Sequence, residues 1–263
     1  MAEPVRKPIE SDLLDEEPGM TLERWVERPG GRMELVEMPL TPELFLNPRF
    51  GDHMTQGKRH GETVYEIYGA LVRFFGPIPD VVVTYDVQHR FGPGLSQPSP
   101  DVSVIRGVRD KKADRKSFDI AAEGVRPCLV VEVVSPLSSR IRKTDMEDKV
   151  ALYRRVGIQE YLIVDCQRHD RHYRLLGYRL GSSGYQRVEL DEQERFLSET
   201  TGLWFQVTPD GDHVRTFEHP SGRLLLTHDE EADLRSAAEE KARVAEDEVA
   251  RLRAELDRLR GPR

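Results

Sequence analysis

The sequence predicts an α/β domain, a mixed central sheet flanked by helices, followed by a helix of coiled-coil character. Three observations predict it. The run Cys128–Val134 is almost continuously apolar and rich in Val, the pattern of a strand covered on both faces. Helix-periodic segments lie on either side of it, and a second apolar strand comes after them, so strands and helices alternate. From Asp229 onward, Arg235, Ala238, Ala242, Ala245, Val249, Leu252, Leu256 and Leu259 fall on alternating steps of three and four, a heptad seam that is Ala-rich first and Leu-rich last.

The elements follow in order. Residues 1–20 carry Pro4, Pro8 and Pro18 among many acids and few aliphatics, which predicts a flexible leader. Residues 21–31 read as a short helix capped by Thr21 and broken by Gly30-Gly31. Arg32–Met38 alternates like a strand, and a Pro-rich loop follows. Lys58–Phe75 is a helix, because Val64, Ile67, Tyr68, Leu71, Phe74 and Phe75 recur at helical spacing before Gly76-Pro77 stops it. Val81–Phe91 reads as one strand, with Val81, Val83, Tyr85, Val87 and His89 on one face. After a Gly/Pro turn, Asp101–Arg106 is a second strand, and 107–126 is a charged loop. Thr144 and Glu147 have capping-box spacing at the head of a helix, Thr144–Val156, that ends at Gly157. Glu160–Cys166, Tyr173–Leu180, Tyr185–Leu190 and Leu203–Val207 are strands. The predicted organisation is a leader over 1–20, a domain over 21–210, a linker over 211–228 and the heptad helix over 229–260.

Charge and cysteine usage narrow the class. The net charge of -8 is placed mostly at the ends, with six acids against two bases in 1–20 and eleven against eight in 229–263. The domain between is nearly neutral, so any nucleic-acid contact there rests on a local basic patch. Lys111, Lys112, Arg115 and Lys116 form one such cluster and Arg140–Lys143 another. No apolar run approaches the roughly 20 residues of a membrane helix, and Met1–Met20 lacks the apolar core of a secretory signal. Cys128 and Cys166 both lie in strand-like runs and read as buried small hydrophobes, so a cytoplasmic setting is expected.

Chemistry concentrates at three places. Glu132 interrupts the apolar strand, where a bare carboxylate is costly and requires a cation, a donor or a shifted pKa. A structural ion pair with an arginine or a strand end reaching solvent would meet that need, and so would a metal ion. Asp101 opens the neighbouring strand, and two such acids supply hard oxygen ligands for Mg²⁺ or Mn²⁺. On the helix after Glu132, Lys149 lies beside the apolar stripe of Met146, Val150, Tyr153 and Val156, so it either pairs with Asp145 or turns its ammonium toward the sheet. His60 and Glu62, at the start of the first long helix, are further candidates. No His lies near Ser135, His169 and His172 read as exposed turn residues, and no Gly-rich phosphate loop appears.

The ordered set Pro100-Asp101, Val131–Pro136 with Glu132, Asp145-x3-Lys149-x3-Tyr153 and Gly157–Asp165 resembles the Uma2 (DUF820) family, a branch of the PD-(D/E)XK nuclease superfamily. The resemblance extends upstream through His60 to Glu34-Leu-Val-Glu37, covering about residues 20–210. It implies a restriction-endonuclease-like fold and a metal-dependent endonuclease that hydrolyses phosphodiester bonds in DNA, with Asp101 and Glu132 as ligands of Mg²⁺ or Mn²⁺. The superfamily pattern places a lysine two residues after the acid, where this chain has Val134. Lys149 is the candidate for that role, and Tyr153 for its support. The heptad seam implies a homodimer. The alternative is a catalytically inactive nuclease-fold protein acting as a DNA- or protein-binding scaffold through its coiled coil.

Overall fold

The computed structural model describes residues 20–54, 56–167, 169 and 171–260. The expected leader therefore lies outside the described residues except for Met20, which is buried. The chain begins with strands β1 (Thr21–Arg28) and β2 (Arg32–Pro39), paired antiparallel from Thr21↔Pro39 to Arg28↔Arg32. This corrects the helix expected over 21–31. Gly30 and Gly31, at φ 89° and 77°, form the hairpin turn rather than a helix stop.

Helix α1 (Pro42–Leu46), capped by Thr41, leads to β3 (His53–Met54), which joins β1 in a three-stranded sheet. Helix α2 (Lys58–Phe75) buries Val64, Ile67, Leu71 and Phe75 as its spacing predicts. The expected strand over 81–91 is two, β4 (Val81–Tyr85) and β5 (Gln88–Arg90), because Asp86 takes a left-handed backbone (φ 49°) that no strand continues through. Strand β6 (Val102–Arg106) follows. The expected loop over 107–126 contains β7 (Ser117–Asp119), paired parallel with β5, and helix α3 (Ile120–Glu123), capped by Asp119.

Strand β8 (Pro127–Val134) is buried along its whole length. The helix after it starts earlier than expected. It runs as α4 (Ser139–Lys143), a π turn (Thr144–Asp148) and α5 (Lys149–Val156). Ser138 is the N-cap, accepting the Ile141 amide at 3.3 Å, whereas Thr144 sits inside the helix and donates to the Arg140 carbonyl. Gly157 closes it in the left-handed conformation, as predicted. Strands β9 (Glu160–Cys166), β10 (Tyr173–Gly181) and β11 (Gly184–Val188) complete a six-stranded sheet of order β11-β10-β9-β8-β6-β4. Only the central β8–β9 pair is parallel, joined by the α4–α5 crossover; the remaining pairs are antiparallel, so the sheet is mixed.

A second three-stranded sheet contains β12 (Phe196–Ser198), β13 (Leu203–Val207) and β14 (Val214–Glu218). Strand β14 falls within the segment expected to be a linker, and Val214 belongs to the main core. Helix α6 (His228–Arg260) is a single helix of 33 residues. No helix among the described residues is long and apolar enough to cross a membrane.

The period-two geometry of β8 divides its side chains between two cores. Leu129, Val131 and Val133 face one core, with α2 and the second sheet. Val130 and Val134 face the other, where Tyr153 of α5 and Tyr161 and Ile163 of β9 pack. Glu132 is placed between Val130 and Val134, on the α5 side. Cys128 and Cys166 are buried, as expected of small hydrophobes.

Candidate active site

The antiparallel register Val102↔Val131 brings Asp101, one residue before β6, opposite Glu132 on β8. The contacts confirm the approach. The Asp101 amide points at Glu132 Oε2 at 3.4 Å, and Asp101 Oδ2 accepts the Val133 amide at 2.7 Å. Glu132 Oε1 receives two donors from α5, the Lys149 ammonium at 2.9 Å and the Tyr153 hydroxyl at 2.9 Å. Helical spacing puts residues 149 and 153 on one face of α5, which is why both reach the same oxygen.

Lys149 is buried, its side chain 1% exposed, and its ammonium is shared with Asp145 Oδ1 at 2.8 Å. It also lies 4.1 Å from the centroid of the Phe45 ring, a cation–π contact from α1. Both outcomes left open for this lysine are realised together, the helix pair with Asp145 and the reach to the sheet. From α2, His60 Nε2 approaches Asp101 Oδ1 at 3.3 Å without hydrogen-bond alignment, so both ring nitrogens are buried without a hydrogen-bond partner. Glu62 stands apart. It is half-exposed and pairs with Lys58 at 3.4 Å.

Asp145 is the residue that sequence reasoning placed only in a local helix pair. It is buried in the π turn, and the Tyr161 hydroxyl donates to its backbone carbonyl at 3.0 Å. Its spacing from Lys149 was visible, but the face it takes depends on the π turn, which no residue pattern announces.

The electrostatics follow from burial and from the excess of acids. Burial pushes the Glu132 carboxyl up to about 8; Lys149 pulls it down, and Asp101 and Asp145 add to the rise. Burial also raises Asp145, against the pull of Lys149. For Asp101 burial acts upward as well, but His60, Lys149 and the Val133 amide hold it below the usual carboxylate range. Burial works to lower His60, yet Asp101 and the other two acids bring it above its ordinary value. The acids hold Lys149 firmly protonated against desolvation.

Two buried carboxylates, Glu132 and Asp145, and the partly buried Asp101 thus share one lysine and one imidazole. That surplus of negative charge, with an orphaned imidazole beside Asp101, suits a divalent cation. Among the described residues no group of three or more His, Cys, Asp or Glu forms a ready-made cage. Mg²⁺ does not require one, since it is held by one or two carboxylates and keeps several waters. Asp101 and Glu132 are the hard oxygen donors that fit it.

Beside Asp101 opens a cleft of about 660 Å³, lined by the 48–58 loop, by Tyr85–Gln88 and by Arg115 and Lys116. Of the Lys111–Lys116 cluster, Lys111 caps the end of α2 through the carbonyls of Phe75, Gly76 and Ile78, and Arg115 pairs with Glu123 at 2.6 Å. His169 and His172 are exposed, as expected.

The family model described as "Putative restriction endonuclease", Uma2, matches residues 50–210. The match begins later than the expected residue 20. Among similar solved structures is the crystal structure of "a putative nuclease belonging to DUF820 from Anabaena variabilis ATCC 29413", at 17% identity and a TM-score of 0.41, covering 67% of this chain and 79% of that one. No curated protein matches the chain. With an ordered motif set in one buried site, and a family match over more than half its length, the chain belongs to the Uma2 family.

Proposed function

We propose that the protein is a metal-dependent endonuclease that hydrolyses phosphodiester bonds in DNA, with its site at Asp101, Glu132 and Lys149. The observation that carries this reading is the meeting of two acids from adjacent strands with a buried lysine 2.9 Å from one of them. Asp101 and Glu132 would hold Mg²⁺ or Mn²⁺. When bound, such an ion polarises the scissile phosphate and lowers the pKa of a coordinated water. Tyr153 and Lys149 fix the Glu132 carboxylate in one orientation, and the charge of Lys149 favours its ionised form. The Lys149 ammonium also places a fixed positive charge beside the site as negative charge develops on the phosphate. His60 adds a second cationic neighbour to Asp101, its Nε2 3.3 Å from Oδ1. In this reading Lys149 fills the role that Val134 cannot. Helix α6 serves as a dimerisation arm, so that two sites act on one substrate.

One observation favours a second reading, an inactive nuclease-fold scaffold. Lys149 is held between two carboxylates with its side chain 1% exposed, which leaves little of the ammonium for substrate. A supercoiled-plasmid nicking assay separates the two. With Mg²⁺ or Mn²⁺ the wild type nicks, EDTA abolishes it, and Glu132→Gln and Lys149→Ala each lower the rate at least about 100-fold. Equal rates in wild type and Glu132→Gln would sink the catalytic reading.

A further inference from the structure

Phe50 is the most exposed aromatic ring in the domain, at 81%, yet it is held in a stapled turn. The Asp52 amide donates to the Arg49 carbonyl at 3.0 Å, the Arg49 amide donates to Asp52 Oδ2 at 2.8 Å, and Gly51 takes φ 87°. Arg24 clamps Asp52 through a bidentate pair at 2.6 and 2.5 Å, which fastens the turn to β1. On the other side the Gln88 side chain donates to the Pro48 carbonyl at 2.6 Å. A turn tied at both flanks displays Phe50 in one place, into the cleft that ends at Asp101.

The lining also carries Tyr85, half-exposed and braced on Tyr68 at 5.5 Å between ring centroids. The Lys116 ammonium sits 5.7 Å from the centre of the Phe50 ring. Of its cluster, Lys111 is committed to the end of α2 and Arg115, which lines the cleft beside Lys116, is committed to Glu123. Asp52 is neutralised by Arg24; the lining also holds Arg49, Lys58, which pairs with Glu62 at 3.4 Å, and the acids Asp86 and Asp101.

An exposed ring beside a lysine is the arrangement that binds single-stranded nucleic acid, the ring taking the face of a base and the ammonium a phosphate. In a duplex those faces are covered by neighbouring bases, so the ring has nothing to stack on unless a base leaves the stack. The cleft volume lies within the range of roughly 300–1,000 Å³ typical of small-ligand sites. We propose that this cleft holds an unpaired nucleotide of the DNA substrate, its base stacked on Phe50 and its backbone held by Lys116, next to the phosphate presented to Asp101 and Glu132. The inference rests on the nuclease reading for its substrate and specifies that the preferred strand is single-stranded or locally unstacked.

The test is fluorescence anisotropy in EDTA with a labelled single-stranded oligodeoxynucleotide and the blunt duplex of the same sequence. The wild type binds the single strand more tightly. Phe50→Ala weakens that binding about tenfold and leaves duplex binding unchanged, while Phe50→Trp retains it. The ring is exposed, so thermal unfolding of Phe50→Ala should match wild type. Unaltered single-strand affinity in Phe50→Ala, or equal wild-type affinity for the two DNAs, overturns the proposal. Because binding is read without cleavage, the two readings fail separately. Phe50-dependent binding with no metal-dependent nicking rejects catalysis and keeps the cleft. Nicking that requires Glu132 without Phe50-dependent binding does the reverse.

Discussion

His89 and Glu132 are both polar side chains buried in strands, and their surroundings give them opposite roles. His89 is fully buried, its Nδ1 set 2.7 Å from the Val87 carbonyl and its ring among Phe91 and Phe118. No acid balances it, and burial pushes its pKa from 6.5 down to about 4, with the Val87 carbonyl pulling only partly back. Between those values the unfolded chain binds the proton and the folded one does not. The His89 contribution is therefore intact above pH 6.5 and is lost as pH falls toward 4. Its size is about 3 kcal/mol at most. Urea unfolding of wild type and His89→Phe at pH 7 and pH 4.5 checks this; the variant should lose about 2–3 kcal/mol less stability between the two pH values. Equal losses would mean that His89 is protonated in the folded protein. Glu132 is buried among charges instead, and its place in a run of valines made it conspicuous in the sequence. Lys149 was legible from its position beside Met146 and Tyr153, and its pair with Asp145 from their i,i+4 spacing; the burial of Asp145 in the π turn was not.

At the scale of elements, the readable ones were those whose burial is set by their own pattern. Strands β8 and β9 are apolar apart from Glu132, Glu160 and Asp165, and α2 carries an apolar stripe, so each was visible in isolation. Strand β1 was not. Its Glu23, Arg24, Glu27 and Arg28 favour a helix, but the ladder with β2 spans all eight of its residues and overrides that preference. The break at Asp86 was hidden for a similar reason, since alternation continues through Val87 and His89 while the backbone turns. A close approach between sheets was equally hidden. A Cβ added at Gly177 of β10 would lie 2.2 Å from the Phe196 ring, which is itself fully buried against Phe205 of β13. Gly177 is therefore the point where β12 seats on the central sheet. Gly177→Ala should cost about 1–3 kcal/mol in urea unfolding, and adding Phe196→Leu should recover part of it. If the double variant were no better than the sum of the two single ones, the clash would not be the cause.

For the whole molecule the open question is what α6 does once it leaves the domain. Its first turn is anchored: Arg73 of α2 holds the Leu226 and Thr227 carbonyls and pairs with Glu231, and Arg215 of β14 pairs with Glu230 at 2.7 Å. The whole helix, 33 residues, is about 50 Å long. Val249, Leu252, Leu256 and Leu259 are between 46% and 81% exposed, one above another along the heptad seam. A helix of this length gains little from propensity alone, and its exposed pairs such as Arg243–Glu240 and Arg251–Glu248 add only a few tenths of a kcal/mol each. An apolar seam with no partner among the described residues gains most by facing an identical seam, which would bring two domains together at the anchored end. Light scattering of the full chain should then give the mass of two copies. Removing the residues after 236 keeps Glu230 and Glu231, and should give one copy with the domain's thermal unfolding unchanged. Leu252→Glu with Leu256→Glu should do the same without shortening the helix, because two charges in the seam cannot be desolvated cheaply. The same number of copies in all three proteins would take the dimer, and with it the paired-site arrangement, out of the proposal.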